Sequence, residues 1–514
     1  MKTRRVMLQG TSSNVGKSVL TAALCRIFKQ DGYRVAPFKS QNMALNSFVT
    51  KDGGEIGRAQ GVQAEAAGVE ATIDMNPVLL KPKKDSVAQV IVRGRPIGDL
   101  SVKDYIKYKP KALEIIKDSL DNLERDYEVI VIEGAGSPAE VNLKAHDIAN
   151  MKIAHLADSP VFLVADIDRG GVIASLVGTL ELLDPEERDR VAGLIINKFR
   201  GDISILQPAL DFLEERTGKP VLGVIPFLHD INIEEEDSVV MTERFLKDKP
   251  ALEEGDLDVV VVHLPHISNF TDFDSLKMEP GISLRYINKL QDLGEPDLII
   301  LPGTKNTVDD LIHLFKSGLA QAVREKAQKG TPVVGICGGY QMLGQKLYDP
   351  NHVESDQDIV DGLGLLNTES TFASEKITSQ VRAKVKVKSF FSASQEEQEV
   401  AGYEIHMGRT ELLSGALPFA EIFQRSGEEV AVLDGAVSAN GLVIGTYMHG
   451  IFDNDWIRQN IIRFLCERKG IIRDGWNDFK TQQQLKEEAY DQLAQLVRDN
   501  LNMPLVYRIM GMKD

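Results

Sequence analysis

The chain has 514 residues, of which 43% are apolar and 26% charged, and its formal net charge is −17. That length exceeds what one hydrophobic core can organise and implies two or three domains, while the acidic balance argues against non-specific binding to nucleic acid. No apolar run reaches the roughly 18 residues that would span a bilayer, the apolar part after the basic start M-K-T-R-R is too short for a signal peptide, and three cysteines imply a reducing compartment, so a cytoplasmic location is expected.

Residues 4–9 read as a short strand. G-T-S-S-N-V-G-K-S follows at 10–18 and leads into the helical run V-L-T-A-A-L-C-R-I-F. A strand, a glycine-bounded loop, Lys-Ser and a helix make a phosphate-binding arrangement, because loop N–H groups cradle phosphates at a helix N-terminus. The candidate ATP contacts are therefore Gly10, Thr11, Asn14, Gly16, Lys17 and Ser18. Lys17 would neutralise the β- and γ-phosphates, and the Ser18 hydroxyl would reach Mg²⁺. Five residues, rather than the usual four, separate Gly10 from Gly16. This longer loop resembles dethiobiotin synthetase and its relatives, which activate carboxylates with ATP. In that family a lysine at the end of the next strand contacts the transferred phosphate, and Lys39, after Y-R-V-A-P-F at 33–38, holds the matching place.

An Ala-rich helix is expected at 56–70 and another helix at 110–125. Between them, N-P-V-L-L-K-P-K-K-D-S at 76–86 and V-R-G-R-P-I-G at 92–98 carry dense positive charge for so acidic a chain. Lys81, Lys83, Lys84, Arg93 and Arg95, on loops stiffened by Pro82 and Pro96, are the candidates for gripping a substrate rich in carboxylates. Y-E-V-I-V-I-E at 127–133 resembles a Walker B strand, with Glu133 placed to hold Mg²⁺ opposite Ser18. Strands at 160–172 and 191–202 follow, the second carrying Asn197 where related folds read the nucleotide base. Strands alternating with helices predict a parallel sheet covered on both faces, with ligands beyond the carboxyl ends of its strands.

The first domain is expected at 1–232, an acidic linker at 233–257, and a second domain at 258–514 that ends in a helical tail at about 480–502. Within the second domain, T-P-V-V-G-I-C-G-G-Y-Q-M-L-G at 331–344 places Cys337 on a glycine-rich turn between a β-branched strand and a helix expected from Tyr340 to Leu347. Glycines allow a backbone sharp enough to present the thiol, and the helix N-terminus favours thiolate. Cys25 and Cys466, in apolar helical patterns, read as core. Y-M-H-G-I-F at 447–452 offers His449 as the base. His406, in G-Y-E-I-H-M-G-R-T at 402–410, is a rival on an alternating, strand-like stretch.

These stretches resemble the class I, triad-type glutamine amidotransferase domain. The resemblance implies that Cys337 attacks the glutamine amide, that His449 moves protons, and that Gly338 and Gly303, the latter in L-P-G-T, supply oxyanion N–H groups. Glutamate normally stands two residues after the histidine, but here that position is Ile451, so either another acid orients His449 or the site works as a dyad. Together the two halves resemble the cobyric acid synthase group of cobalamin biosynthesis, through N-P-V-L-L-K-P, E-G-A-G-S-P-A-E, D-I-D-R-G-G-V and G-Y-E-I-H-M-G. The fold so implied is α/β, with two doubly wound parallel-sheet domains. The activity implied is amidation of peripheral carboxylates of adenosylcobyrinic acid a,c-diamide to adenosylcobyric acid, using ATP, Mg²⁺ and glutamine. The expected partner is a small-molecule corrinoid, with no nucleic acid and no membrane span, and a homo-oligomer is allowed. The alternatives are cobyrinic acid a,c-diamide synthase, an amidotransferase acting on a cell-wall precursor, and a partition-type switch ATPase without synthetic activity.

Overall fold

The computed structural model describes residues 3–84, 86–228, 233, 253, 255–392, 397–472 and 480–512. The expected linker at 233–257 lies almost wholly outside the described residues. The chain forms two compact units, one of residues 1–44, 55–236 and 483–514, the other of residues 45–54 and 237–482.

The first unit is built on a six-stranded parallel sheet. Its spatial order is Val221–Pro226, Val191–Phe199, Val161–Asp166, Arg4–Gly10, Val129–Glu133, Val35–Phe38. Continuous apolar runs such as Val129–Ile132 suit strands buried on both faces, and these four residues are fully buried. Leu8 lies opposite Glu133, so the phosphate loop after Gly10 and the Walker B acid emerge side by side at the carboxyl edge. The helix Lys17–Gln30 follows the loop, and the Ala-rich helix spans Arg58–Ala67.

Two expectations for this unit are corrected. The basic stretches are not loops but strands, Val78–Lys84, Val87–Val92 and Arg95–Ser101, paired antiparallel in a second sheet. Val78, Leu79 and Leu80 are buried in succession, as are Val90 and Ile91, so short apolar runs covered on both faces outweigh the lysines and prolines between them. The helical tail does not belong to the second unit. Gln482–Asn500 buries Leu493, Ala494 and Val497 in one cluster with Ile27 and Phe28. Arg26 holds Glu487 and Asp491, each at 2.7 Å.

The second unit has its own sheet in the order Ile282–Ile287, Leu257–Val262, Leu298–Leu301, Val333–Ile336, Val443–Thr446, Ala436–Val437. All neighbours are parallel except the last pair. Leu298–Leu301, Val333–Ile336 and Val443–Thr446 are adjacent, so the segments bearing Gly303, Cys337 and His449 all leave the same carboxyl edge. A mixed sheet dominated by the long hairpin Thr368–Val385 and Gln398–Leu412 completes the unit. The helix after Cys337 is Gly338–Leu343, shorter than expected, and Lys346–Tyr348 already forms a strand.

Candidate functional site

Each unit carries one cluster of chemistry-bearing side chains. In the first, Gly16 closes the phosphate loop at φ 95°, a left-handed conformation that glycine adopts freely. A Cβ on Gly16 would lie 2.2 Å from Asn197 Nδ2, and one on Gly10 would lie 2.8 Å from Lys17 Nζ. The cradle therefore has no room for side chains at either glycine. The Lys17 ammonium donates to the carbonyls of Ser12 and Gly136 at 3.1 and 3.2 Å, which folds it over the loop. The Thr11 N–H donates to Val164 O, and Asn14 sits at φ 62°. Asn197 donates its Nδ2 to Val15 O at 2.8 Å. In this structure it braces the loop.

Glu133 gathers the remaining groups. Its Oε1 accepts from Ser18 Oγ at 2.7 Å and from Lys39 Nζ at 2.9 Å, and its Oε2 accepts from Gln63 Nε2 at 2.8 Å. Burial would raise this carboxyl, but Lys39 and the three hydrogen bonds hold it below the usual range. A hydroxyl and an ionised carboxylate 2.7 Å apart beside a phosphate loop are hard oxygen donors that suit Mg²⁺ shared with phosphates.

Of the five basic residues expected to face a carboxylate-rich ligand, three are in ion pairs. Lys81 is buried against Glu55 at 2.8 Å, Lys83 meets Asp99 at 2.7 Å, and Arg93 meets Asp74 at 3.1 Å. Arg95 is exposed and makes no ion pair among the described residues. The Lys84 side chain lies outside the described residues.

In the second unit, Cys337 stands at φ 51°, ψ −108°, directly before its helix. A non-glycine residue in that region is strained by about 1–3 kcal/mol. The turn persists because Cys337 N–H donates to Thr446 O and Gln341 N–H donates to Cys337 O. Glycines 335 and 339 permit it, since a Cβ on Gly335 would lie 2.7 Å from the Gly339 backbone. The thiol points toward Ile405 O, 3.5 Å away.

His449 is buried and lies against the thiol of Cys337, whose contact contributes to its basicity. Its backbone pairs with Tyr403 in both directions, and the Tyr403 ring stacks on the imidazole at 5.1 Å. Gly303 and Gly338 close the same space. A Cβ on Gly303 would lie 2.9 Å from His449 Cε1, and one on Gly338 would lie 3.2 Å from Thr304 N. The structure thus gathers Cys337, His449, Gly303 and Gly338 in one place.

The acid absent at position 451 is supplied from elsewhere. His449 Nδ1 donates to Asp272 Oδ2 at 2.7 Å, and Gly450 N–H donates to Asp272 Oδ1 at 3.1 Å. Facing a carboxylate, Nδ1 carries a proton, which leaves Nε2 as the ring nitrogen that faces the thiol. Burial works against a charged imidazole, but Asp272 and then Cys337 override it and push His449 up to about 10. Asp272 sits in the single turn Phe270–Phe273, and sequence reasoning missed it. Its only local signal is an acid in S-N-F-T-D-F-D-S, shortly after the first strand of the unit. Asn269, in the same turn, places Nδ2 3.4 Å from His449 Nε2. His406, the rival base, bonds its Nδ1 to Gly408 O at 2.8 Å and stacks on Tyr447.

Comparison with known proteins bears on both halves. The CobQ/CobB/MinD/ParA nucleotide binding domain matches residues 6–239, and the CobB/CobQ-like glutamine amidotransferase domain matches residues 258–456. A cobyric acid synthase of Desulforamulus reducens is 55% identical over 99% of this chain and 98% of its own. One from Moorella thermoacetica is 54% identical, and one from Dehalococcoides mccartyi 51% identical, over 99% and 98% of this chain and 98% of theirs.

Proposed function

Because the chain belongs to the cobyric acid synthase family, we propose that its second unit releases ammonia from glutamine and its first unit spends ATP to attach that ammonia to corrinoid carboxylates. The reading is carried by one observation: a strained cysteine, a histidine and an aspartate at the carboxyl edge of one sheet, in a chain that also builds a phosphate loop.

In the second unit, Asp272 holds His449 in the tautomer that can take the Cys337 proton. The thiolate attacks the glutamine amide carbon, and N–H groups at Gly303 and Gly338 face the oxygen as it becomes negative. The imidazolium returns the proton to the departing nitrogen, ammonia leaves, and water releases glutamate from the thioester. In the first unit, a carboxylate oxygen of the substrate attacks the γ-phosphorus of ATP, giving an acyl phosphate and ADP. Ammonia then displaces phosphate, and an amide remains. Lys17 and Lys39 neutralise charge on the transferred group. Ser18 and Glu133 would hold Mg²⁺, which when bound would supply electrostatic stabilisation to the same phosphates. Asn197 braces the loop from a strand end suited to a base contact.

The substrate favoured by the family is adenosylcobyrinic acid a,c-diamide, with adenosylcobyric acid as product and a cytoplasmic setting. A partition-type switch ATPase would leave Cys337, His449 and Asp272 without a use. The test is mass spectrometry of that corrinoid after incubation with ATP, Mg²⁺ and glutamine. Successive conversion of its free carboxylates to amides supports the reading. An unchanged corrinoid alongside amidation of cobyrinic acid itself would favour the a,c-diamide synthase.

A further inference from the structure

The mechanism above gives no part to Lys198, the residue after Asn197. In a regular strand successive side chains point to opposite faces. Lys198 breaks that alternation. It stands at φ 63°, in the left-handed region, and the pairing of its strand with Val221–Pro226 shifts register between Ile196 and Phe199. Asn197 and Lys198 therefore reach the same loop. Asn197 Nδ2 donates to Val15 O at 2.8 Å, and Lys198 Nζ donates to Asn14 O at 2.6 Å. The Lys198 ammonium also donates to Asp166 Oδ2 at 3.0 Å, while Asp166 Oδ1 accepts the Asp168 N–H at 2.8 Å. The lysine is thus fixed at both ends of its reach, by a carboxylate on the neighbouring strand and by a carbonyl of the phosphate loop.

These contacts decide where the donors of the loop point. A trans peptide holds its C=O and the following N–H in one plane, on opposite sides. Drawing the carbonyls of Asn14 and Val15 toward the strand end turns the N–H groups of Val15 and Gly16 away from it. Among the described residues neither N–H donates to another backbone carbonyl. Asn14 is itself at φ 62°, a conformation that a non-glycine residue keeps only when its surroundings hold it, and its carbonyl is the one that Lys198 takes. We propose that Lys198, anchored by Asp166, is a positioning residue for ATP that sets the Val15 and Gly16 N–H groups toward the phosphates. Lys17 and Lys39 act on the phosphates by charge, whereas Lys198 acts through the loop. The inference rests on the phosphate-loop reading of this site and deepens it.

Lys198→Met keeps the stem and removes the donor, whereas Lys198→Arg keeps charge and donors. Mg²⁺-ATP and Mg²⁺-ITP, which differ only in the base, are titrated calorimetrically into each purified variant, and denaturation midpoints are measured alongside. Loss of a charge-assisted hydrogen bond to the loop should raise the ATP Kd of Lys198→Met about tenfold or more, with its midpoint little changed. The Kd of ITP should rise by the same factor, and Lys198→Arg should restore most of the affinity for both. Asp166→Asn should weaken ATP in the same direction, and adding it to Lys198→Met should cost nothing further, because both act through one contact. Unchanged ATP affinity in Lys198→Met, a loss confined to ATP, or a full further loss on adding Asp166→Asn overturns the proposal. Should Lys198→Met not fold, Asp166→Asn decides alone, and unchanged ATP affinity there overturns it. Failure of the unsubstituted protein to bind ATP would instead refute the underlying phosphate-loop reading.

Discussion

Asp272 holds the imidazole of His449 through a 2.7 Å contact between Oδ2 and Nδ1, although 177 residues separate them in sequence. The same carboxylate accepts the Gly450 N–H, so it fixes both the ring and the backbone behind it. The glutamate position of related amidotransferases is thus not simply lost. An acid from the start of the unit stands against the imidazole instead.

Asp272→Asn should therefore cripple the glutaminase without unfolding it. Asparagine keeps the shape but favours the wrong imidazole tautomer, and general-base assistance contributes about 10²–10⁴-fold. Glutaminase kcat should drop by at least roughly 10²-fold, as should that of His449→Ala. His406→Ala should retain chemistry far better in kcat, because its Nδ1 is committed to Gly408. A near-normal kcat in Asp272→Asn would show that the site works as a dyad.

The same pair predicts how stability depends on pH. His449 is raised from the ordinary 6.5 to about 10 in the folded state. The folded protein then holds the proton more tightly than the unfolded chain. This contribution is fully present below about 6.5 and is lost as pH rises toward about 10. Asp434 and Glu354, both raised to about 7 by burial, stop contributing slope above that value. Between pH 7.5 and 10, denaturation midpoints of the unsubstituted protein should fall more steeply than those of Asp272→Asn. Parallel curves would contradict the pairing.

In the first unit, Lys17→Ala or Glu133→Ala should abolish ATP-driven amidation from either glutamine or ammonium, since phosphoryl transfer depends on charge neutralisation and metal positioning. Glutamate release without ATP should survive in both variants. Normal amidation in Lys17→Ala would remove the phosphate-loop role.

The basic residues should separate by partner. Arg95→Ala should raise the corrinoid KM with little change in ATP KM, because this guanidinium is exposed and makes no ion pair among the described residues. Lys81→Ala should act on stability instead, because it strands a buried Glu55, a loss of about 3–5 kcal/mol. Equal folding stability in Lys81→Ala would argue against the buried pair.

The contrast between these residues shows what was legible in the sequence. The phosphate loop, the cysteine turn and His449 are local signals, in which backbone geometry and chemistry occupy a few consecutive residues. Asp272 is not, because only the folding of two parallel strands onto one edge brings it to the histidine. The lysines at 81 and 83 read as free charge because Glu55 and Asp99, which neutralise them, lie on other strands. The helix Gln482–Asn500 was legible as a helix, but its amphipathic pattern could not say which core it covers.

Under the proposed function, ammonia made at Cys337 is the nitrogen fixed in the first unit. This is tested by supplying glutamine labelled with ¹⁵N in its amide together with unlabelled ammonium, ATP, Mg²⁺ and the corrinoid, and weighing the product. The unsubstituted protein should give labelled amide, while Cys337→Ser should give amide drawn only from ammonium. Labelled product from Cys337→Ser, or no product from ammonium in a folded Cys337→Ser variant, would contradict the account.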